Sequence, residues 1–196
     1  MKQHLTRTIT VAGILATLIF SSSAFADLAK KKQTPQGLYL TAVEAHDFVK
    51  KNNKETVFID VRTRAEVGFL GMPTVADANI PYALSGDWGL WDEKKQTFKL
   101  APNSNFLPAV EKLMAKKGLD KESNIVVMCR SGSRSAKAAK LLDEAGYKNV
   151  YSITDGYEGG KAKKGPNKGQ RVVNGWKNAQ LPWSYKLDKE KMYWEM

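Results

Sequence analysis

The chain has little cysteine and little histidine: one cysteine and two histidines in 196 residues. A single cysteine cannot form an internal disulfide, so Cys129 is a buried inert thiol, an intermolecular link or a reactive group. The usual zinc and haem sites need several cysteine or histidine ligands. Because His46 is the only histidine after residue 26, the sequence predicts no metal centre of this kind.

Acidic residues are the minority charge, with 20 Asp and Glu against 31 Lys and Arg and a net charge of +11 at pH 7. This excess favours anionic small molecules or acidic protein partners, although part of it would simply keep the protein soluble. The sequence has no aromatic-interleaved basic stripe and no motif of a known nucleic-acid-binding module. Nucleic acid is therefore not an expected partner.

The first 26 residues have the three parts of an export signal. Two basic residues come first, an apolar stretch follows at 11–20, and residues 24–26 read Ala-Phe-Ala, a small-x-small cleavage site. The apolar stretch is short for a membrane span. We therefore expect cleavage after Ala26, a periplasmic or secreted protein, and membrane contact only in transit. An uncleaved N-terminal anchor is the alternative. Cleavage would leave 170 residues with a net charge of +9, enough for one domain with its own core.

Apolar segments alternate with helical patterns along the rest of the chain. We expect strands at 38–40, 56–61, 76–80, 124–128 and 150–153, and helices at 41–51, 62–69, 104–117 and 134–145. A capping box, Thr41 to Glu44, starts the first helix, and Asn103 or Ser104 is the expected cap of the third. This alternation predicts an α/β domain with a mainly parallel sheet.

Three segments do not fit this alternation. Residues 27–37 are polar and lysine-rich, which indicates a loose N-terminal arm. Residues 82–100 carry several aromatic residues but show no clear period. Residues 161–177 contain six basic residues and no acidic one, with glycines and a proline, and are expected to form a long loop.

The single cysteine stands where a predicted strand ends and a predicted helix begins. A thiol at such a turn faces the free N–H groups and the positive dipole end of the helix, which favour the nucleophilic thiolate. Arg130 and Arg134 add positive charge in the same loop. Because sites on parallel sheets form at the carboxyl ends of strands, we interpret Cys129 as a reactive sulfur beside a bound anion. A core thiol at a strand end is the alternative.

The chain resembles a single-domain rhodanese, and three stretches carry the resemblance. These are Cys129-Arg130-Ser131-Gly132-Ser133-Arg134 before a helix, Asp60-Val61-Arg62 with Glu66, and Asp155-Gly156-Tyr157-Glu158-Gly159. The Gly-His-Ile-Pro-Gly-Ala stretch of many members lacks its histidine here. The resemblance implies a rhodanese-like three-layer domain at 38–160, with a mainly parallel sheet flanked by helices. A basic C-terminal extension at 161–196 would pack back on it through tryptophans.

The resemblance also implies a function, that of a thiosulfate sulfurtransferase. Cys129 would take a sulfane sulfur from thiosulfate or a similar small anionic donor, hold it as a persulfide, and pass it to a thiophilic acceptor. Asp60 and Arg62 would brace the loop or each other. The resemblance implies no cofactor, and an acidic exported protein is a further expected partner. The residues expected to bind the substrate are Arg130, Ser131, Gly132, Ser133, Arg134 and Ser135.

Three other functions remain open at this point. A non-enzymatic persulfide carrier or docking module for an exported redox partner would have the same loop. Cysteine phosphatases and arsenate reductases use Cys-x5-Arg, whereas this chain has Cys-x4-Arg, a smaller cradle that suits one sulfur better than a tetrahedral phosphate. A cysteine protease would need His46 as its base, and the sequence shows no dyad around that residue.

Overall fold

The structure is a computed structural model that describes residue 25 and residues 27–85 and 90–194. The expected export signal, residues 1–26, lies outside the described residues except for Phe25. The helices are α1 Ala42–Lys51, α2 Arg64–Leu70, α3 Phe106–Lys116 and α4 Ser133–Glu144. The strands are β1 Tyr39–Leu40, β2 Thr56–Asp60, β3 Met72–Pro73, β4 Ala78–Asn79, β5 Ala83–Leu84, β6 Trp91–Asp92, β7 Thr97–Phe98, β8 Ala101–Pro102, β9 Asn124–Met128, β10 Asn149–Ile153 and β11 Trp183–Ser184.

A five-stranded parallel sheet in the order β1-β10-β9-β2-β4 forms the centre of the molecule. The expected parallel α/β fold is thus confirmed. The register of the two central strands places Asp60 opposite Met128, the residue before Cys129. Since all five strands run in one direction, their carboxyl ends meet at one edge, and this edge carries both Asp60 and Cys129.

Helices cover both faces of the sheet and give it the expected three layers. Successive strand residues point to opposite faces, so Val57 and Ile59 of β2 pack in one core cluster with residues of α3 and α4. Phe58, between them, packs in a second cluster with residues of α1, α2 and the C-terminal extension. Burial on both faces explains why β2 and β9 read as continuous apolar runs rather than as alternating patterns.

The helix starts follow from local side-chain chemistry, with one correction. The Thr41 capping box begins α1 as expected. The expected cap of α3 at Asn103 or Ser104 is wrong, because the helix begins at Phe106. The Asn103 side chain is buried instead, where its amide donates to the Pro81 carbonyl at 2.8 Å and its oxygen accepts the Asn105 N–H at 3.0 Å. Asn103 therefore ties the segment before α3 to the end of the sheet.

The N-terminal arm, residues 27–37, is docked rather than loose. The Gln36 amide donates to Asp143 Oδ1 and to the Tyr147 carbonyl, both at 2.7 Å. Its oxygen accepts the Val150 N–H at 2.8 Å. One polar side chain thus joins α4, the turn after it and β10, and this explains why a polar segment without an apolar pattern is ordered on the domain.

The two other irregular segments contain short pairings. Residues 82–100 include the antiparallel pair β6–β7, in which the exposed Trp91 and Phe98 rings lie 5.3 Å apart. In the extension, β11 pairs with β3, and Met192 bridges Asn79 at the sheet edge. Within the described residues no helix is long and apolar enough to cross a bilayer.

We predict that Trp176→Ala lowers the free energy of unfolding by about 3–5 kcal/mol, as for other buried aromatic residues. The Trp176 ring is fully buried, lies 5.4 Å from Phe58, and donates its Nε1–H to the Pro182 carbonyl at 3.0 Å. Urea unfolding followed by circular dichroism would measure the loss. Trp194→Ala, at a ring that is 57% exposed, is the control and should cost less than about 1 kcal/mol. Equal losses for the two variants would contradict the structural role of Trp176.

Candidate active site

Cys129 directly follows β9 and lies inside a loop that folds back over it. The residue is 1% exposed, and the Gly132 N–H donates to its Sγ at 3.2 Å. Gly132 has a φ of +99° and stands at the N-cap of α4. The loop therefore places the sulfur at the positive end of a twelve-residue helix, with at least one N–H already aimed at it.

Two glycines let the backbone of other segments approach this loop. A Cβ on Gly132 would lie 2.1 Å from the Thr154 carbonyl oxygen, and one on Gly156 would lie 2.4 Å from the Cys129 oxygen. Both glycines also have a positive φ, which residues with a side chain rarely adopt. A side chain is therefore disfavoured at both positions by steric clash and by backbone conformation. The Cys129 oxygen in turn accepts the Tyr157 N–H at 2.8 Å. The loop is thus clamped by the chain that leaves β10.

Ser135 lies beneath the loop and not at its opening. Its buried hydroxyl accepts the Cys129 thiol at 3.7 Å. The same hydroxyl donates to the Gly132 carbonyl at 2.9 Å. Ser152 of β10 donates to the same hydroxyl at 3.1 Å. Ser135 therefore links the sulfur to the loop backbone and to the sheet, and in this structure it is placed to hold the sulfur.

Asp60 and Arg62 form a fully buried ion pair at the end of β2. Arg62 Nη2 lies 2.6 Å from Asp60 Oδ2, and Arg62 Nε also donates to the carboxylate. Nη2 further donates to the Gly71 carbonyl at 2.8 Å. The guanidinium stacks over the Tyr157 ring at 3.7 Å. Buried charges need such partners, so this pair serves to fix α2 and the 155–159 turn around the loop.

The Arg134 guanidinium is held by Glu66 of α2. Its two terminal nitrogens each donate to a different oxygen of Glu66, both at 2.5 Å. Burial alone would raise the pKa of Glu66, but the hydrogen bonds and charge of Arg134 outweigh it and lower that pKa to about 2. Glu66 also completes a capping box with Thr63, a spacing visible in the sequence. Its pairing with Arg134, 68 positions away, has no sequence signal.

The remaining loop residues face outward. The Arg130 side chain is 49% exposed, and its Nε lies 3.9 Å from Glu158 Oε2. Ser131 and Ser133 are half-buried. Lys32, a residue that sequence reasoning missed, donates to the Thr154 carbonyl at 2.8 Å behind the loop. Burial, opposed by the charge of nearby Asp155, lowers the pKa of Lys32.

The arrangement places one thiol, the Gly132 N–H aimed at its sulfur and the positive end of α4 together at one strand end. Such a site can hold a sulfur anion on Cys129 and stabilise negative charge that develops next to it. In the parts of the chain that the structure describes, no group of three or more His, Cys, Asp or Glu side chains is placed to hold a metal ion.

Comparisons with known proteins agree on one family. The family model described as rhodanese-like domain matches residues 42–163. An uncharacterized protein of Rickettsia conorii, RC0915, is 33% identical over 147 residues, which cover 74% of this chain and 96% of that protein. Thiosulfate sulfurtransferase 18 of Arabidopsis thaliana is 34% identical over 100 residues, 51% of this chain and 62% of that protein. The crystal structure of Rv0390 from M. tuberculosis is 26% identical, with a TM-score of 0.56 over 76% of this chain and 97% of that one.

We predict that the Glu66–Arg134 pair makes folding stability depend on pH in the acid range. Since the folded-state pKa of Glu66, about 2, lies below its usual 4.5, the stabilisation is complete above pH ~4.5 and is lost as the pH falls towards 2. Wild type should exceed Glu66→Gln in unfolding free energy by at most about 3 kcal/mol at pH 7, and the gap should narrow below pH ~4.5. When Arg134→Gln is present in both proteins, the difference in unfolding free energy between the chain with Glu66 and the chain with Glu66→Gln should depend less on pH. Denaturant unfolding at several pH values measures the difference in both backgrounds. The same pH dependence with and without Arg134 would contradict the role of the pair.

Proposed function

The chain belongs to the rhodanese-like domain family, and from that premise we propose that it is an exported sulfurtransferase. It would move a sulfane sulfur from thiosulfate, or a similar small anionic donor, to a thiophilic acceptor through a persulfide on Cys129. The observation that carries the proposal is the lone thiol itself, 1% exposed and receiving the Gly132 N–H at 3.2 Å. The relatives named as thiosulfate sulfurtransferases add support.

The first half-reaction needs no other reactant. The Cys129 thiolate attacks the outer sulfur of thiosulfate, and a new S–S bond forms as the S–S bond of the donor breaks. The electron pair of the broken bond leaves with sulfite, and the persulfide keeps one negative charge. The Gly132 N–H lies 3.2 Å from Sγ and α4 begins directly after Gly132, so this backbone would stabilise negative charge on the attacking sulfur without reorganisation. The acceptor then attacks the outer sulfur and returns the Cys129 thiolate.

The depth of the sulfur favours a small donor over a large ester. A thiol that is 1% exposed accepts a single sulfur atom into its loop more readily than a tetrahedral phosphate with an aryl group. The Arg134 side chain, which closes the Cys-x4-Arg spacing, is also committed to Glu66 through both terminal nitrogens. In this structure it is therefore not free to bind a phosphate oxygen.

We predict that the protein gains one sulfur atom when it is incubated with thiosulfate, and that dithiothreitol removes it. Intact-mass spectrometry would measure the gain, and since Cys129 is the only cysteine, Cys129→Ser should gain nothing. Wild type should also transfer the sulfur to cyanide, with repeated turnover. Loading from a partner without any turnover would favour a persulfide carrier. Hydrolysis of an aryl phosphate, with no gain of sulfur, would replace the proposal by a phosphatase.

Export is the second part of the proposal, supported by the basic start, apolar stretch and Ala-x-Ala site of residues 1–26. Mass spectrometry of the protein recovered from the cells that produce it should give an N-terminus at Asp27. Recovery of the chain with Met1 retained would refute the cleavage.

A further inference from the structure

The C-terminal extension, residues 161–196, is stacked directly on the turn that clamps the active loop. A Cβ on Gly159 would lie 1.6 Å from the Asn174 carbonyl oxygen, and one on Gly175 would lie 2.4 Å from the Gly159 nitrogen. Gly175 also donates its N–H to the buried Asp155 carboxylate at 2.9 Å. Backbone thus lies on backbone here, so the position of the extension relative to Cys129 is fixed by contacts that leave no room for a side chain.

This stacking places Arg171 beside the active loop. Arg171 Nη1 donates to the Gly159 carbonyl at 2.6 Å, and its own carbonyl accepts from the Asn178 amide at 3.1 Å. The residue before Gly159 is Glu158, whose N–H donates to the Arg130 carbonyl at 2.9 Å. Arg171 is therefore held through both its side chain and its backbone. Its guanidinium contacts Gly159, the residue after the one that bonds to the loop.

Among the arginines around the loop, Arg171 is the least compensated. Arg62 and Arg134 are each in close ion pairs with a carboxylate. Arg130 faces Glu158 at 3.9 Å, beyond hydrogen-bond distance. Among the described residues Arg171 has no carboxylate within 4 Å, and the bond it makes is to a neutral carbonyl. A half-buried guanidinium whose other N–H groups make no protein hydrogen bond among the described residues favours a bound anion.

The electrostatic surroundings of Arg171 agree with this placement. Burial lowers its pKa first, and repulsion from Arg130 lowers it further, while Glu158 and Cys129 act in the opposite direction. Arg130 lies 3.9 Å from Glu158 and Arg171 donates to the next residue, Gly159, so the two guanidiniums contact adjacent residues of one turn. The Glu158 carboxylate brings one negative charge against their two positive charges. An anion between them would relieve the repulsion.

We propose that Arg130 and Arg171 form an anion subsite at the mouth of the Cys129 loop, which binds the oxyanion end of the sulfur donor. For a thiosulfate-type donor this is the group that leaves as sulfite, while the outer sulfur points to Sγ. Arg171 lies beyond residues 42–163, the span of the family match, so the extension supplies a residue that the matched domain does not contain. The identity of the donor rests on the proposed function; the subsite for anions does not.

Alkylation of Cys129 by an anionic and a neutral reagent tests the subsite directly, because the chain has no other cysteine. Iodoacetate carries a carboxylate to the sulfur, whereas iodoacetamide is of similar size and uncharged. In Arg171→Gln the iodoacetate rate at low salt should fall about tenfold, the lower end of typical electrostatic steering. The iodoacetamide rate should change less than about twofold, and Arg171→Lys should retain most of the iodoacetate rate.

Lys164→Gln is the matched control, since it removes one positive charge from an exposed position of the same extension. It should leave the iodoacetate to iodoacetamide ratio close to that of wild type. If Arg171→Gln, folded by circular dichroism, keeps the wild-type ratio, the subsite is refuted. Equal falls in Arg171→Gln and Lys164→Gln would also refute it, because they would show a general effect of net charge.

Loading with thiosulfate separates this inference from the proposed function. If wild type fails to gain sulfur, the sulfurtransferase proposal is overturned. The ratio of the iodoacetate rate to the iodoacetamide rate would still test the anion subsite. If wild type does gain sulfur, Arg171→Gln should need about tenfold more thiosulfate for half of the maximal loading rate, with the maximal rate nearly unchanged. A lower maximal rate with an unchanged half-saturating concentration would mean that Arg171 only holds the loop, and would refute its role in binding.

Discussion

The close approach of backbone to backbone around Cys129 is the constraint on which the rest of the site depends. Gly132 lies against the Thr154 carbonyl, Gly156 against the Cys129 carbonyl, and Gly159 against Asn174. Each contact would be blocked by a Cβ, and each of these glycines has a positive φ. The loop, the turn after β10 and the C-terminal extension therefore form one continuous stack. The Gly132 N–H is aimed at Sγ by this rigidity, and backbone donors stabilise charge only where they are already aimed.

The charged residues around that stack divide into two groups by what they touch. Asp60 with Arg62 is a fully buried pair, and Glu66 with Arg134 is a half-buried one; in each pair the two charges offset each other. These pairs join α2 to the ends of β2 and α4, and so fix the wall of the site. Because both are internally neutral, they contribute little to the attraction of an anion. A positively charged environment for the sulfur must come from cations without close carboxylates.

The sequence was sufficient for the fold and for the place of Cys129 between a strand and a helix. Continuous apolar runs in β2 and β9 and the Thr41 capping box are local signals, and the parallel α/β fold that they indicated is confirmed. The rhodanese-like domain that the resemblance implied is confirmed as well. Long-range polar contacts had no such signal. Gln36 sits in a polar arm, and only the structure shows it bridging α4 to β10. Asn103 resembled a helix cap, yet its partner is a carbonyl 22 positions earlier. The partners of polar side chains such as Gln36 and Asn103 are determined by the tertiary fold, and the local sequence does not show them.

The same limit applies to reading function from net charge. The sequence has eleven more basic than acidic residues, and six of the basic residues fall at 161–177, a stretch with no acidic residue. The structure shows that these six are not equivalent. Lys163 and Lys164 are exposed, where water and salt screen them, whereas Arg171 is half-buried and fixed to the Gly159 carbonyl. A charge acts on a reaction when it is desolvated, held and close, so one anchored arginine outweighs several solvated lysines in determining which anion reaches Cys129.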